Sequence, residues 1–265
     1  MNDRAAMKIA LCQSAGAPCD VAANLALVQA AAQKAAAAGA RLIIFPECFL
    51  TGYNIGERVC DLAEPADGPS LATLGEIAAE AEIAIVCGYP ERAGEMLFNS
   101  AAVIGRDGVR LANYRKVHLY GDFEKAYFRP GERLVTTQVD GVRIGVLICY
   151  DIEFPEPARA LARAGVDLLA VPTSLMTPAD AVALHVVPTR ARENQIFVAY
   201  ANRLGREAGL EYVGRSCIAG PDGGDLARAG VEEELLVAEI DPSAIGRARA
   251  GYDYLADCRA GLDVN

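Results

Sequence analysis

Tryptophan is absent from the 265-residue chain, histidine occurs only twice, and no two of its eight cysteines stand in Cys-x-x-Cys spacing. With His118 and His185 as the only imidazoles, a zinc site would have to draw on scattered thiols, so neither metal nor cofactor is expected. No run reaches the roughly 18 to 20 apolar residues that a bilayer-crossing helix requires. The N-terminal MNDRAAMKIALCQ sets Asp3 beside Arg4 ahead of an apolar run too short for a secretory signal. A cytoplasmic protein with no membrane partner is therefore expected. Basic excess is missing as well: the formal charge of −10 opposes the concentrated positive surface that a phosphate backbone demands, which excludes nucleic acid as the main partner. In a reducing compartment, Cys12, Cys19, Cys48, Cys60, Cys87, Cys149, Cys217 and Cys258 are expected to be mostly small buried hydrophobes.

What is present is a series of short runs rich in Ile, Val and Leu, at 8–13, 41–45, 83–89, 142–149, 166–172 and 196–202, which read as buried strands. Helix-like segments lie between several of them: Val21 to Ala38, Ser70 to Glu82, Pro155 to Ala164 and Ala179 to Asn194. Alternation of this kind implies crossover units, a sheet with helices outside it and an α/β fold. The pattern breaks twice. Leu97 to Arg115 surrounds GRDG, a hairpin signal, and Gly214 to Ile240 is more β than α, so mixed sheets are expected. Neither a low-complexity linker nor an internal sequence repeat divides the chain, and a single domain over 1–265 fits its length.

Three strand ends carry chemistry-bearing residues. In VLICYDIEFPE, an apolar run closes on Cys149 and passes into Tyr150, Asp151, Glu153 and Glu156. A strand end followed by a turn supplies exposure and free N–H groups, although a buried packing thiol fits the same local sequence. In IIFPECFLTGY, Glu47 follows Pro46 among Phe45, Phe49 and Leu50. Partial desolvation there would raise its pKa toward that of a general base, while a solvated turn glutamate fits equally. In YRKVHLYGDFEKAYFRPGE, aromatics alternate with charges, as in an aromatic-walled cavity, and composition leaves open whether Arg115, Lys116 or Lys125 points inward.

In order and spacing, Glu47 in FPECFLTGY, Lys116 in YRKVHLYGDFE and Cys149 in VLICYDIEFPE resemble the three signatures of the nitrilase superfamily of carbon–nitrogen hydrolases. The resemblance includes NSAAVIGRDG, FRPGE and RARENQIFVAYAN and runs over a core of about 7–240, leaving a C-terminal tail of about 241–265. It implies a four-layer α-β-β-α sandwich, two mixed β-sheets between helical layers, joined through helices into a homodimer or higher homo-oligomer. It also implies Glu47 as general base, Lys116 as oxyanion-stabilising cation, Cys149 as nucleophile and Glu124 as an additional active-site carboxylate.

CYDIEFPE resembles the aliphatic-type amidase branch more than the true nitrilases. The expected activity is hydrolysis of a small primary carboxamide to acid and ammonia through a cysteine thioester, with N-carbamoyl or nitrile hydrolysis as the alternatives. A papain-type Cys-His hydrolase lacks its local signatures, and a silent binding protein would more naturally have lost one of the three residues. Tyr53, Tyr120, Tyr150 and Ser174, Leu175 and Met176 are the candidate walls of the substrate pocket, and Glu156 a complement to a helix dipole.

Overall fold

Burial on both faces is why the apolar runs are unbroken. The structure, a computed structural model, describes residues 5–259; the two ends of the expected 1–265 domain and tail lie outside the described residues. In chain order come β1 (Met7–Gln13), α1 (Val21–Ala37), β2 (Leu42–Ile44), α2 (Arg58–Leu62), α3 (Pro69–Glu80), β3 (Ala84–Ala93), β4 (Met96–Ile104), β5 (Arg110–Arg115) and α4 (Gly121–Tyr127). The chain continues through β6 (Val135–Val139), β7 (Val142–Val146), a 3₁₀ turn (Cys149–Glu153), α5 (Pro155–Arg163), β8 (Leu168–Thr173), a π turn (Val182–Val186), α6 (Val187–Asn194) and β9 (Phe197–Asn202). It closes with β10 (Leu204–Glu207), β11 (Leu210–Val213), β12 (Cys217–Ala219), β13 (Asp225–Arg228), β14 (Glu234–Ile240), α7 (Ser243–Arg249) and α8 (Tyr254–Asp257).

Two six-stranded sheets result, in the orders β14-β1-β2-β3-β4-β5 and β13-β12-β9-β8-β7-β6. Both are mixed. In the first, β1, β2 and β3 are parallel while β14, β4 and β5 join antiparallel. The second repeats this plan, with β7, β8 and β9 parallel and β6, β12 and β13 antiparallel, although no sequence repeat accompanies it. Side chains alternate in register. Ile9, Leu11, Leu42 and Ile44 face a core shared with Ile144, Leu168 and Phe197 of the other sheet, and Ala10, Cys12 and Ile43 face Val28, Ala32, Leu74 and Ile77 of α1 and α3. The outer face of the second sheet is covered by α5 and α6, completing the α-β-β-α layering that the resemblance implied.

Local chemistry explains the boundaries. Asp20 caps α1 by accepting from the Ala23 N–H at 2.9 Å, and Pro69 and Pro155 stand in the first turns of α3 and α5, where their missing N–H costs nothing. Glu156 lies in the first turn of α5, as its dipole role requires. The GRDG hairpin turns on Gly108 at φ +80°, and a Cβ there would stand 2.6 Å from the Gly75 carbonyl oxygen of α3. Five of the eight cysteines are buried, Cys19 is half-buried, and Cys60 and Cys258 are exposed.

Two boundaries differ from the sequence expectation. The strand expected over 142–149 ends at Val146; Leu147 gives a last N–H to the Ala170 carbonyl of β8 at 3.1 Å, the buried Ile148 turns its N–H to Asp151, and Cys149 opens the 3₁₀ turn at φ +44°. The helix expected from Ala179 does begin, at Asp180, but takes a π turn over Val182–Val186. Pro188 has no N–H to give the carbonyl of Leu184, and the preceding turn widens so that the Val187 N–H reaches the Val182 carbonyl. None of the described helices is long and apolar enough to cross a membrane.

Candidate active site

Glu47 follows the end of β2, where the chain must leave the sheet and fold over β3. Gly88 permits that approach: a Cβ on it would lie 2.5 Å from the Cys48 nitrogen and 2.8 Å from the Glu47 Cα. The turn is fastened to the second sheet by the Glu47 N–H, which donates to the Thr173 carbonyl at 3.4 Å, and by the Ser174 hydroxyl, which donates to the Glu47 carbonyl at 3.2 Å. Arg203, fully buried, donates to the carbonyls of Ala15, Glu47 and Cys48 at 2.7, 3.2 and 3.2 Å.

Lys116 is the first residue past β5, and its N–H donates to the Asn99 carbonyl at 2.8 Å. Of the three cations the sequence left open, it is the one that points inward. Its fully buried Nζ lies 2.6 Å from Glu47 Oε1 and 2.6 Å from Glu124 Oε1. Glu124, on α4, is also fully buried; its Oε1 accepts from the Tyr53 hydroxyl at 2.6 Å and its Oε2 from the Tyr120 N–H at 3.0 Å. Glu47 Oε1 accepts in addition from Asn99 Nδ2 at 2.8 Å, whereas Glu47 Oε2 is buried without a hydrogen-bond partner.

The electrostatics follow from burial. Desolvation pushes the Glu47 carboxyl up to about 7, with the charge of Lys116 pulling it down and that of Glu124 pushing it up. For Lys116, desolvation alone would favour the neutral amine, but Glu124 and Glu47 outweigh it and hold the ammonium. Cys149, 8 % exposed, is raised well above the ordinary thiol range by burial and then by the Glu47 charge; Lys116 and the Ser174 backbone act in the opposite direction. At rest Cys149 is thus a thiol, which would need a base in order to act as a nucleophile. Glu47, with one oxygen free, can be that base.

The candidate pocket walls divide. Tyr53 and Ser174 bond directly to Glu124 and to the Glu47 backbone. Tyr150, half-buried, stands edge-on between exposed Tyr120 and Phe154, with ring centroids 5.2 and 4.9 Å away. Met176 is half-buried and packs against a buried cluster of Cys48, Tyr53 and Tyr212. Leu175 is buried in the main core, its N–H donating to Asn202 Oδ1 at 2.8 Å.

Sequence reasoning assigned no part to Asn99, Arg203 or Gly88. The available signal was a polar or side-chain-free residue inside an otherwise apolar run, as in LFNSAAV, VAYANR and IVCGY. Among the described residues, no three of His, Cys, Asp and Glu group as metal ligands.

The family model for carbon–nitrogen hydrolases matches residues 8–250. Over 97 % of its length, the chain is 46 % identical to the "hydrolase in pqqF 5′ region" of Pseudomonas protegens, covering 90 % of that protein. Over 96 % it is 39 % identical to an (R)-stereoselective amidase of a Pseudomonas species, covering 92 %. The crystal structure of an amidase from Nesterenkonia sp. superposes with a TM-score of 0.87 at 38 % identity, spanning 96 % of this chain and 94 % of that one. A mutant of the Nesterenkonia amidase carries the acetamide moiety of fluoroacetamide covalently on its active-site cysteine.

Proposed function

The chain belongs to the carbon–nitrogen hydrolase family, and from that premise we propose that it hydrolyses a small primary carboxamide to the carboxylic acid and ammonia, with Cys149 as nucleophile, Glu47 as general base and Lys116 as the oxyanion-stabilising cation. The observation that carries this reading is the Lys116 ammonium held 2.6 Å from both Glu47 and Glu124 in full burial, beside a Glu47 oxygen that nothing else engages.

Ionised Glu47 takes the thiol proton as sulfur attacks the amide carbon. The negative oxygen of the tetrahedral adduct is met by Lys116 and by the Tyr150 N–H, which lies in the first turn of the 3₁₀ segment, where backbone donors have no partner within the turn. Glu47 then gives the proton to the departing nitrogen, ammonia leaves, and a thioester remains on Cys149. Glu47, ionised again, takes a proton from water, hydroxide adds to the thioester, and the acid departs as the thiol re-forms. The near-complete burial of these groups restricts the acyl part to small molecules. A panel of primary amides, both enantiomers of amino-acid amides and N-carbamoyl compounds, assayed for ammonia, tests the reading. Turnover confined to the carbamoyl compounds would sink it.

Protonation of Glu47 removes the base. The kcat/KM profile is therefore expected to fall toward acid with an apparent pKa near about 7. Glu124→Gln is expected to lose at least about a hundredfold in kcat/KM, the scale for a displaced reacting group. Its residual activity should extend to lower pH, because the negative charge that pushes Glu47 upward is gone. An acid limb unmoved or shifted upward in Glu124→Gln contradicts this electrostatic arrangement.

The reading includes a cytoplasmic homodimer or larger homo-oligomer, the assembly supported by the resemblance noted above. Light scattering on the purified protein decides the assembly: a monomer at micromolar concentration rejects it.

A further inference from the structure

Lys116 and Cys149 come from different sheets, one past the end of β5 and the other past the end of β7. Apolar packing holds the sheets together but is non-directional. A directional link does exist. The Asp151 carboxylate, fully buried, accepts four hydrogen bonds: Oδ2 from the Tyr114 hydroxyl at 2.8 Å and the Ile148 N–H at 3.0 Å, Oδ1 from the His118 N–H and from His118 Nδ1, both at 2.9 Å. Tyr114 and His118 stand two residues before and after Lys116, and Ile148 directly precedes Cys149. Among the described residues, every side-chain hydrogen bond between 114–118 and 148–151 ends on this one carboxylate.

We propose that Asp151 is a positioning residue that sets the placement of Lys116 relative to Cys149, with His118 Nδ1 as the donor that orients its carboxylate. This rests on the roles given above to Lys116 and Cys149. Because Asp151 accepts, Nδ1 of His118 carries a hydrogen. The His118 ring is held over the 3₁₀ turn by stacking on Phe154, centroids 4.3 Å apart and planes 20° apart. All four donors are matched only while both oxygens accept. An amide in place of the carboxylate turns an NH₂ toward one pair: facing Ile148 it strands that backbone N–H, and facing His118 it strands the backbone N–H there. Neither backbone group can rotate away, so one segment must shift.

The test compares Asp151→Asn, His118→Ala and His118→Asn with the parent and with Cys149→Ala. Asp151→Asn is expected to lower kcat about a hundredfold through misplacement, with KM changed less than about threefold, since ground-state binding is not what the tie controls. The half-exposed His118 gives variants that keep the fold. Both lose the stack on Phe154, but Asn can place an amide donor near the former Nδ1. His118→Ala is therefore expected to lose about tenfold in kcat, and His118→Asn to return to within about threefold of the parent.

Parental kcat in Asp151→Asn, a rise in KM alone, or a kcat loss that disappears on assay well below a lowered Tm would overturn the inference. Should Asp151→Asn not fold, the histidine pair decides, and equal rates in His118→Ala and His118→Asn reject it. Turnover surviving in Cys149→Ala would instead strike the reading on which it rests.

Discussion

Cys149→Ala is expected to release less than about one per cent of the parental ammonia, the least that loss of a nucleophile costs, while the protein remains folded. The change deletes the only atom that bonds to substrate carbon in the proposed scheme. Lys116 and the Tyr150 N–H still stand where an oxyanion would form, but no adduct generates the charge. Structurally the cost is small: a single sulfur is removed, and the positive φ of Cys149 is no less accessible to Ala. A stability loss of about 1 kcal/mol is expected. Urea unfolding and ammonia release measured on the same sample separate the two effects, and intact mass after exposure to fluoroacetamide should show an adduct on the parent alone. Amide turnover above that one per cent level rules out the nucleophile.

Lys116→Ala should be as inactive and much less stable. Removing the ammonium leaves two carboxylates that each stood 2.6 Å from it, buried and without their counter-ion. Breaking a buried ion pair by deleting one partner costs about 3–5 kcal/mol. The pKa of Glu47, already raised to about 7, must rise further once the lowering charge is gone. The base is then protonated at neutral pH, and catalysis fails for want of both base and oxyanion partner. The sign of the stability effect follows from the same shift. A carboxyl whose folded pKa lies above its unfolded value favours the fold below the unfolded value, and that contribution is lost as pH rises through the folded one. The stability deficit of Lys116→Ala should accordingly be smaller at pH 5 than at pH 8, read as urea midpoints against the parent. Near-parental kcat, or a deficit that grows toward acid, contradicts the arrangement.

How much of this was legible in the sequence depends on what each stretch encodes. Strand runs were readable because sheets covered on both faces demand continuous apolar residues, and Glu47 stood out as a charge placed where an apolar strand stops, whereas only the family resemblance separated Lys116 from Arg115 and Lys125. The end of β7 was not readable: Leu147 and Ile148 continue the apolar run because they are buried, although the strand stops at Val146 and the Ile148 N–H has turned to Asp151. The helix α4 was hidden for a different reason. It has only seven residues, and tertiary contacts hold it, with Glu124 accepting from the Tyr120 N–H and Phe128 packed beneath beside Leu97. The positions of Asn99 and Asp151 reflect pairings between segments 52 and up to 37 residues apart, which no local pattern reports.

Arg203 bears on the order of folding. Its guanidinium joins carbonyls of residues 15, 47 and 48, which precede it by 188, 156 and 155 positions. Contacts of such sequence separation close large loops and form late. During synthesis, a chain that has emerged only as far as β8 already contains Glu47, Lys116, Glu124 and Cys149, and the Thr173 carbonyl that takes the Glu47 N–H, but not the guanidinium that holds the Ala15, Glu47 and Cys48 carbonyls. Cys149, the nucleophile of the proposed scheme, is thus translated well before Arg203, and the turn that carries Glu47 gains its full set of bonds only when β9 has docked.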